Sequence, residues 1–325
     1  MAVAVSAESV EVIVGGLIGA IDVDGGPTLR QLNVLASITT HLWKRPDIDP
    51  STMRGLTVQE TADSLKSKSD RRCFHEVLIA LEVCRHPLTK AQVDAVESYS
   101  LALGIGGPDL RIFRDLVTAG VGSAAQDFGR FIAVNLANRQ EPSLQVERTQ
   151  TDVAITAPEP ELVQKLKAFQ DLPEGSLGRA FLDFYGRHHI PLPGDQANSM
   201  NHFYVGHDMT HVIAGIEPTG PGEVALSAFQ WAMNDNSVNS GALLASLVVH
   251  EAGFGQAGSL VTETGQLGEL GAADLLGQEM ARGAQCQDDF SLADHFVLAG
   301  EQLTAVRALF GVQAPVNPQD GHHHW

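Results

Sequence analysis

This sequence is poor in several residue types and motifs that mark large classes of protein. Cysteine occurs only three times in 325 residues, at Cys73, Cys84 and Cys286, which is too few and too scattered for a disulfide framework or a thiolate metal site. No apolar run approaches the roughly 20 residues that a membrane-spanning helix needs. The sequence also lacks a Gly-Lys-Ser/Thr phosphate loop and a Gly-x-Ser-x-Gly nucleophile elbow. None of the corresponding classes is therefore indicated.

Positive charge is also scarce. The chain has 21 Lys and Arg residues against 39 Asp and Glu residues, which gives a net charge of −18 at pH 7. From residue 217 onward, Arg282 and Arg307 are the only Lys or Arg residues in the sequence. Such an acidic chain repels phosphate backbones and anionic lipids. We expect no nucleic-acid partner, and any peripheral membrane contact would have to use apolar surface.

The first nine residues contain no basic residue before their apolar stretch, so they lack the pattern of a secretory signal. The few cysteines fit small core residues in a reducing compartment better than disulfide partners. We therefore expect a cytoplasmic protein, with peripheral attachment at a membrane as an alternative.

Apolar residues recur at helical spacing through most of the chain, whereas alternating strand patterns are almost absent. A chain of 325 residues is long enough for about two domains. A polar stretch over 139–160 is the best linker candidate. The sequence predicts an all-α protein with a helical domain over 1–138, a linker over 139–160, a second helical domain over 161–312 and a flexible tail over 313–325.

The most distinctive motif is His207-Asp208-Met-Thr-His211, followed eleven residues later by Glu223. In a helix, His207 and His211 lie on one face, with Asp208 at its edge. Gly215 suits a helix C-cap, and the prolines that follow it prevent the helix from continuing. Because apolar residues surround all four polar side chains, burying them would be costly unless they bind a metal. The sequence predicts a metal site on a helix–turn–helix, with these four residues as ligands and as the catalytic group.

Nitrogen and oxygen ligands of this kind suit one divalent metal. Zinc is the first expectation, with iron, manganese or cobalt as alternatives, because no thiolate selects among them. Three or four protein ligands leave a coordination position for water or substrate, which a catalytic site requires.

Two other metal-dependent classes of enzyme have motifs similar to this one. A zinc protease needs Glu where Asp208 stands, so the motif does not favour that class. Metal-dependent phosphohydrolases of the His-Asp type also use an adjacent His-Asp pair, with a separate upstream His and a downstream Asp. His188, His189 or His202 could serve upstream and Asp235 downstream, so this alternative stays open. His250 and Glu251, at the end of a predicted helix, could support the metal ligands or form a helix-end polar pair.

The second half of the chain resembles the ubiquinone (coenzyme Q) biosynthesis protein 4 family. The His-Asp-x-x-His motif with its later Glu matches the metal-binding signature of that family. The segment Leu172–Arg179 resembles the family's Leu-Pro-Glu-Gly-Thr-Leu-Gly block, and Gly222–Leu226 resembles its Gly-Glu-Leu-Ala-Leu block. The stretch Asp294–Gly311 is similar to its terminal helix. The resemblance covers about residues 161–312.

This resemblance implies an all-helical domain whose metal site lies beside an apolar cavity for a prenylated aromatic or other isoprenoid lipid. It implies a role in ubiquinone biosynthesis, either as a metal-dependent oxidative decarboxylase or as a non-enzymatic lipid-binding scaffold for other biosynthetic enzymes. Met209 and Thr210 stand where the family usually has an aromatic residue, so a substrate outside ubiquinone biosynthesis also stays open. A homodimer is a further alternative that the sequence does not decide.

The first half resembles the helical domain of tellurite-resistance protein B (TerB-like). The similarity is carried by Ile21–Gly25 before a helix, and by Leu78–Leu81 followed by Leu88–Gln92. Arg85 and His86 stand where the second of these blocks would have acidic residues. We therefore expect a packing or partner-binding role for this domain.

Overall fold

The structure, a computed structural model, describes residues 5–106, 114, 158–195, 202–234, 236–253, 263–317, 321–323 and 325. Within these ranges all the regular secondary structure is helical. Three isolated β-bridges are present, but they form no sheet. This confirms the predicted all-α fold class. In the same ranges, no helix combines the length and the apolar character needed to cross a bilayer.

The described α-helices are numbered here in chain order. They are α1 (Ala7–Ile21), α2 (Leu29–Ser37), α3 (Val58–Ser64), α4 (Lys68–Val83), α5 (Lys90–Leu103), α6 (Pro160–Lys167), α7 (Leu177–His188), α8 (Phe203–Ala214), α9 (Gly220–Met233), α10 (Ser237–Ser246), α11 (Ala272–Gly283), α12 (His295–Leu298) and α13 (Leu303–Phe310). Helices α2 and α10 continue as short π-helical turns, Ile38–Leu42 and Leu247–Glu251.

Several helix starts are set by local sequence. Thr28, Thr57 and Thr89 each cap a helix through a capping box, in which the Thr hydroxyl accepts a backbone N–H and a Gln or Glu side chain three residues later bonds back. Helix α5 then ends at Gly104 in the left-handed conformation.

The helices form two compact units, and neither unit is one continuous stretch of chain. The first comprises Met1–Phe128, Gly220–Gly255 and Thr262–Ala284, and the second comprises the remaining segments. This grouping differs from the division predicted from the sequence, because helices between 220 and 284 belong with the N-terminal helices. The predicted linker, 139–160, lies almost wholly outside the described residues.

The core of the first unit is built around α1. Its residues Ile13, Leu17 and Ile21 are completely buried, and the helix packs against α3, α4 and α5. On α4, the ring of Phe74 stacks on the ring of Tyr99 from α5, with 5.6 Å between centroids. These contacts bury the apolar faces that the helical periodicity predicted.

Helix α11 joins the later helices of the first unit to its N-terminal helices. It packs on α9 and also on α2 with its π-helical turn. A Cβ atom at Gly283 would overlap the carbonyl oxygen of Phe229, and one at Gly277 would overlap the side chain of Ser37. These two glycines let the helix backbones approach closely. A buried ion pair within α11, Glu279 with Arg282, completes the packing.

The second unit packs α7 against α6, α8, α12 and α13. Phe169, Phe181 and Phe184 form an aromatic core with Tyr185, and the rings of Phe181 and Tyr185 lie 4.8 Å apart. His322 and His323, near the end of the chain, also belong to this core, since both are buried. The sequence led us to expect a flexible tail, but backbone bonds hold its described end, as shown below.

Gly283→Ala should destabilise the protein because the added methyl has no space against the Phe229 carbonyl. We expect a loss of about 1–3 kcal/mol in the free energy of unfolding, as overpacking typically costs. Gly186→Ala on α7 is the matched control, because a Cβ there meets no atom within 4 Å. It should be neutral or stabilise by up to about 1 kcal/mol through helix propensity. Urea denaturation measures both, and equal effects would contradict the packing contact.

A buried carboxyl group in the first unit should make stability depend on pH. The side chain of Glu82 is fully buried and accepts a 2.6 Å hydrogen bond from the amide of Gln92. Burial raises the pKa of Glu82 to about 7, although the bond from Gln92 and the charge of Arg85 oppose this. The folded protein therefore holds a proton at Glu82 between pH 4.5 and about 7, a range in which the unfolded chain releases it.

The free energy of unfolding of Glu82→Gln should exceed that of the wild type by an amount that grows as the pH rises from 5 to 8.5. The folded pKa lies above the unfolded one, so the wild type loses stability as pH rises through this window, by at most about 3 kcal/mol. Glutamine keeps the shape without the charge and removes that loss. Urea denaturation of both proteins at the two pH values measures the difference. The wild type and the variant are compared at each pH because a second buried group also titrates. Burial lowers the pKa of His75 to about 4, so this histidine reduces the free energy of unfolding of both proteins as the pH falls.

A gain from Glu82→Gln that is the same at pH 5 and pH 8.5 would show that Glu82 does not titrate as described.

Candidate metal centre

Helix α8 carries three of the four predicted ligands. It runs from Phe203 to Ala214 and ends at Gly215, whose φ of 72° lies in the left-handed region and whose N–H donates to the carbonyl of His211 at 2.8 Å. This confirms the predicted helix and its glycine cap. His207 and His211 are one turn apart on the helix.

The two histidines on α8 are close enough to share a metal ion. Their rings lie 5.0 Å apart at the centroids, and one ligand nitrogen of each lies within 4.8 Å of the other. His211 is fully buried, whereas the side chain of His207 is 24% exposed. The pair therefore has one side in the protein core and one side that solvent or a ligand can reach.

Hydrogen bonds fix which nitrogen of each ring carries the proton. The Nδ1 of His211 lies 3.0 Å from the carbonyl oxygen of Ile216, and a carbonyl can only accept, so this Nδ1 carries hydrogen. In the same way, the Nδ1 of His207 lies 2.9 Å from a carboxylate oxygen of Asp208 and donates to it. The neutral form of each ring then has its lone pair on Nε2, which is the form that binds metal.

Both carboxylate oxygens of Asp208, another predicted ligand, accept hydrogen bonds. Oδ1 accepts from the ring of His207, and Oδ2 accepts from the hydroxyl of Tyr185 on α7. Burial raises the pKa of Tyr185 well above its usual range, and the neighbouring Asp208 adds to this, so the phenol keeps its proton and remains a donor. In this arrangement Asp208 orients a histidine, and Tyr185 orients Asp208.

Sequence reasoning missed Tyr185, because nothing in the spacing of α7 relates it to α8.

The ring of Phe184 forms an apolar wall beside His211. It stacks on the His211 ring at 5.8 Å and also contacts the rings of His188, at 5.0 Å, and His323, at 5.2 Å. Burial lowers the pKa of His188, while the neighbouring carboxylate of Glu217 acts in the opposite direction. An apolar wall of this kind strengthens electrostatic interactions in the site by excluding water.

Arg307, on α13, holds the last turn of α8. Its Nε donates to the carbonyl of Ile213 at 2.9 Å and one terminal nitrogen donates to the carbonyl of Val212 at 3.1 Å. The guanidinium also lies 3.8 Å from the ring centroid of Trp325. A cation at this end of a helix satisfies carbonyls that lack partners and interacts favourably with the helix dipole.

The end of the chain is bonded to the turn that follows α8. The N–H of His323 donates to Gly215 at 2.8 Å, the N–H of Glu217 donates to Gly321 at 2.9 Å, and Ile216 pairs with His322 in a β-bridge. These bonds occur because residues 215–217 present backbone groups that the helix no longer uses. No motif in the sequence marks this pairing, which is why a flexible tail over 313–325 was expected.

Glu223, the fourth predicted ligand, belongs to the first unit. It lies in the first turn of α9 and is partly buried. A carboxylate at this position interacts favourably with the positive end of the helix dipole. The predicted second helix after the proline-containing turn is thereby confirmed, with its start at Gly220.

The remaining polar candidates have structural roles where they are described. Glu251 is fully buried in the first unit, where one oxygen accepts from Arg30 at 2.5 Å and the other accepts from the N–H of Leu267 at 2.8 Å. His202 pairs with Glu159 at 2.5 Å. His189 is exposed at the end of α7, and Asp235 lies outside the described residues, so the phosphohydrolase alternative stays a prediction.

A cavity of about 320 Å³ lies at the start of α8, within the second unit. Its lining is largely charged and consists of Glu159, Pro160, Glu161, Leu162, Lys165 and His202. The volume is at the low end for small-molecule sites. The charged lining does not match the apolar cavity expected beside the metal, which stays a prediction.

No family model matches this chain, and no curated protein matches it. Among solved structures, the chain is similar to a crystal structure of a protein from Nostoc punctiforme that carries a provisional name as a ubiquinone biosynthesis protein. The two share 17% sequence identity, over 77% of this chain and 100% of the other, with a TM-score of 0.33. Similarity at this level does not establish a shared fold.

Arg307→Met should destabilise the second unit because two carbonyls in the last turn of α8 lose a charged donor. We expect a loss of about 2–4 kcal/mol in the free energy of unfolding. Hydrogen exchange should show faster exchange at the end of α8. Arg179→Met is the control, because Arg179 bonds a single carbonyl, that of Gln170, at an exposed position. Similar effects of the two substitutions would contradict a special role for Arg307.

Proposed function

We propose that this protein binds one divalent metal ion through His207, His211 and Glu223, and that this site binds or converts a prenylated aromatic or other isoprenoid compound. One observation supports the metal site most strongly. Two imidazoles one turn apart on α8 have ligand nitrogens within 4.8 Å of each other, and each ring has its Nδ1 proton directed at an acceptor. Helix-face histidines without a metal do not need such matched orientation.

The donor set fits a catalytic site better than a closed structural one. Two imidazole nitrogens and one carboxylate oxygen give three protein ligands, the number that leaves a position for water or substrate on zinc. Glu223 joins the set on its spacing, since it lies in the first turn of α9, which begins only a few residues after α8 ends. Zinc remains the first expectation, and iron, manganese or cobalt are alternatives.

Asp208 and Tyr185 support the ligands without binding the metal. A histidine ligand that donates its other N–H to a carboxylate is fixed in one tautomer and is a stronger ligand. The hydroxyl of Tyr185 keeps the carboxylate of Asp208 in place. This chain of hydrogen bonds orients the exposed ligand, His207, whereas the buried ligand, His211, is oriented by a backbone carbonyl.

The proposed substrate class follows from the motif resemblance to the ubiquinone biosynthesis protein 4 family. When bound, the metal would supply Lewis-acid stabilisation for an oxygen of a ring carboxylate or phenol. The apolar wall at Phe184 would keep water from the buried side of the ligands. The proposed reaction is oxidative removal of the ring carboxylate from a prenylated benzoate: the carboxylate leaves as carbon dioxide, a hydroxyl replaces it, and dioxygen serves as the external oxidant. Lipid binding without turnover is the alternative.

Metal analysis of purified protein tests the proposal directly. The wild type should contain about one metal ion per chain at this site, and His211→Ala and Glu223→Ala should each lower the metal content by that one ion, because a two-ligand site binds weakly. His41→Ala is the control, since His41 pairs with Asp274 within the first unit and belongs to neither proposed ligand set. Far-UV circular dichroism should show that the helices persist in every variant. A ligand variant that retains full metal content would contradict the proposed set.

The same samples distinguish an enzyme from a lipid-binding scaffold. Mass spectrometry of an organic extract should find a bound prenylated compound. Release of carbon dioxide from a prenylated hydroxybenzoate, absent in both ligand variants, would support catalysis. Bound lipid with no carbon dioxide release would instead support the scaffold role.

A further inference from the structure

We propose a second divalent-cation site in the second unit, formed by His188, Glu217 and His323. It shares no residue with the site proposed above and does not depend on it. The donor set is again two imidazoles and one carboxylate, which suits zinc and related divalent metals.

The three side chains converge on one oxygen atom. Oε2 of Glu217 lies 2.7 Å from Nε2 of His188 and 3.8 Å from Nδ1 of His323. Ligand atoms around a tetrahedral zinc ion lie about 3.3 Å from one another, as metal–ligand bonds of roughly 2.0–2.1 Å require. The two observed distances lie on either side of that value, and the ring centroids of the two imidazoles lie 6.4 Å apart, so a cation would bind after side-chain rotations that bring the two ring nitrogens together.

Three separate segments bring these groups together, and each is anchored by its backbone. His188 is the last residue of α7. Glu217 follows the glycine cap of α8, and its N–H donates to Gly321 at 2.9 Å. The N–H of His323 donates to Gly215 at 2.8 Å. A binding site on anchored backbone needs less ordering when the ion binds.

The surroundings leave one side of the cluster open. The side chain of His323 is completely buried, whereas those of His188 and Glu217 are 22% and 20% exposed. The ring of Phe184 contacts both imidazoles from the buried side. Arg187 approaches the other oxygen of Glu217, Oε1, at 3.3 Å, so Oε2 remains directed at the imidazoles. Water could complete the coordination from the open side.

A cation at this position would join the end of the chain to α7 and to the turn after α8. Its role would be to staple the last residues onto the end of α8, in addition to the backbone bonds. A metal that binds only the folded arrangement stabilises it by mass action.

Zinc binding to a protein that lacks the first site tests this proposal. In His207→Ala/Glu223→Gln, equilibrium dialysis should still find about one Zn²⁺ per chain, and Co²⁺ should give the visible absorption of a bound ion. Adding Glu217→Gln should weaken binding at least 100-fold, because it removes the carboxylate on which both imidazoles converge. His323→Ala should do the same. His322→Ala is the matched control, since His322 lies beside His323 and its Nδ1 faces the carbonyl of Asn317 instead.

The outcomes separate the two proposals. If folded His207→Ala/Glu223→Gln binds no Zn²⁺, the second site is overturned. The first site then stands if the wild type binds one ion, and fails if the wild type binds none. If that variant keeps its ion but the wild type with Glu217→Gln binds none, the second site holds and the first fails. Zinc that persists after Glu217→Gln in the double variant, or that His322→Ala also removes, would overturn the second site. Circular dichroism in the presence of a chelator confirms that each variant is folded.

Discussion

The C-terminal end of α8 is held by hydrogen bonds from several parts of the second unit, and the candidate metal centre depends on this anchoring. Arg307 bonds two carbonyls of the last turn, His323 bonds Gly215, and the ring of His211 donates to Ile216. The last of these bonds connects a proposed metal ligand directly to the backbone. Because the ring is already fixed in one tautomer and orientation, binding a metal requires little further ordering. Residues 321–323 therefore help to hold the end of α8, where the proposed ligand His211 lies.

The few basic residues late in the chain have structural roles in the protein interior. Arg282 and Arg307, the only Lys or Arg residues after position 217, are both buried. Arg282 pairs with Glu279 and lies over the ring of Phe229, and Arg307 holds the end of α8. Removing either would leave buried acceptors without donors, which costs more than the bond itself contributes. After residue 217, both Arg side chains are therefore buried in the protein interior. The exposed acidic residues of this part of the chain have no Lys or Arg close to them in sequence.

In the proposed metal site, the motif on α8 separates into residues that would bind the ion and a residue that orients one of them. Residue types alone make Asp208 as good a ligand as Glu223, since both offer carboxylate oxygens. The hydrogen bonds of Asp208 to His207 and Tyr185 assign it to orientation instead. A carboxylate that supports a histidine increases the electron density on the metal-facing nitrogen. The same principle applies to His211, where a backbone carbonyl takes the place of the carboxylate and needs no side chain to be kept in position.

The sequence by itself determined the features that depend on neighbours a few residues apart. Helical periodicity predicted the all-α class, the glycine after α8 predicted its end at Gly215, and residue spacing placed His207 and His211 on one face. Tertiary structure decided what distant segments do: the grouping of α9 to α11 with the N-terminal helices, the contact of Tyr185 with Asp208, and the pairing of residues 321–323 with the turn after α8. The reason is physical, because local patterns record torsional preferences and the buried face of one helix. Which surfaces meet depends on close packing, as where Gly283 admits the backbone at Phe229, and that fit has no signature in either segment alone.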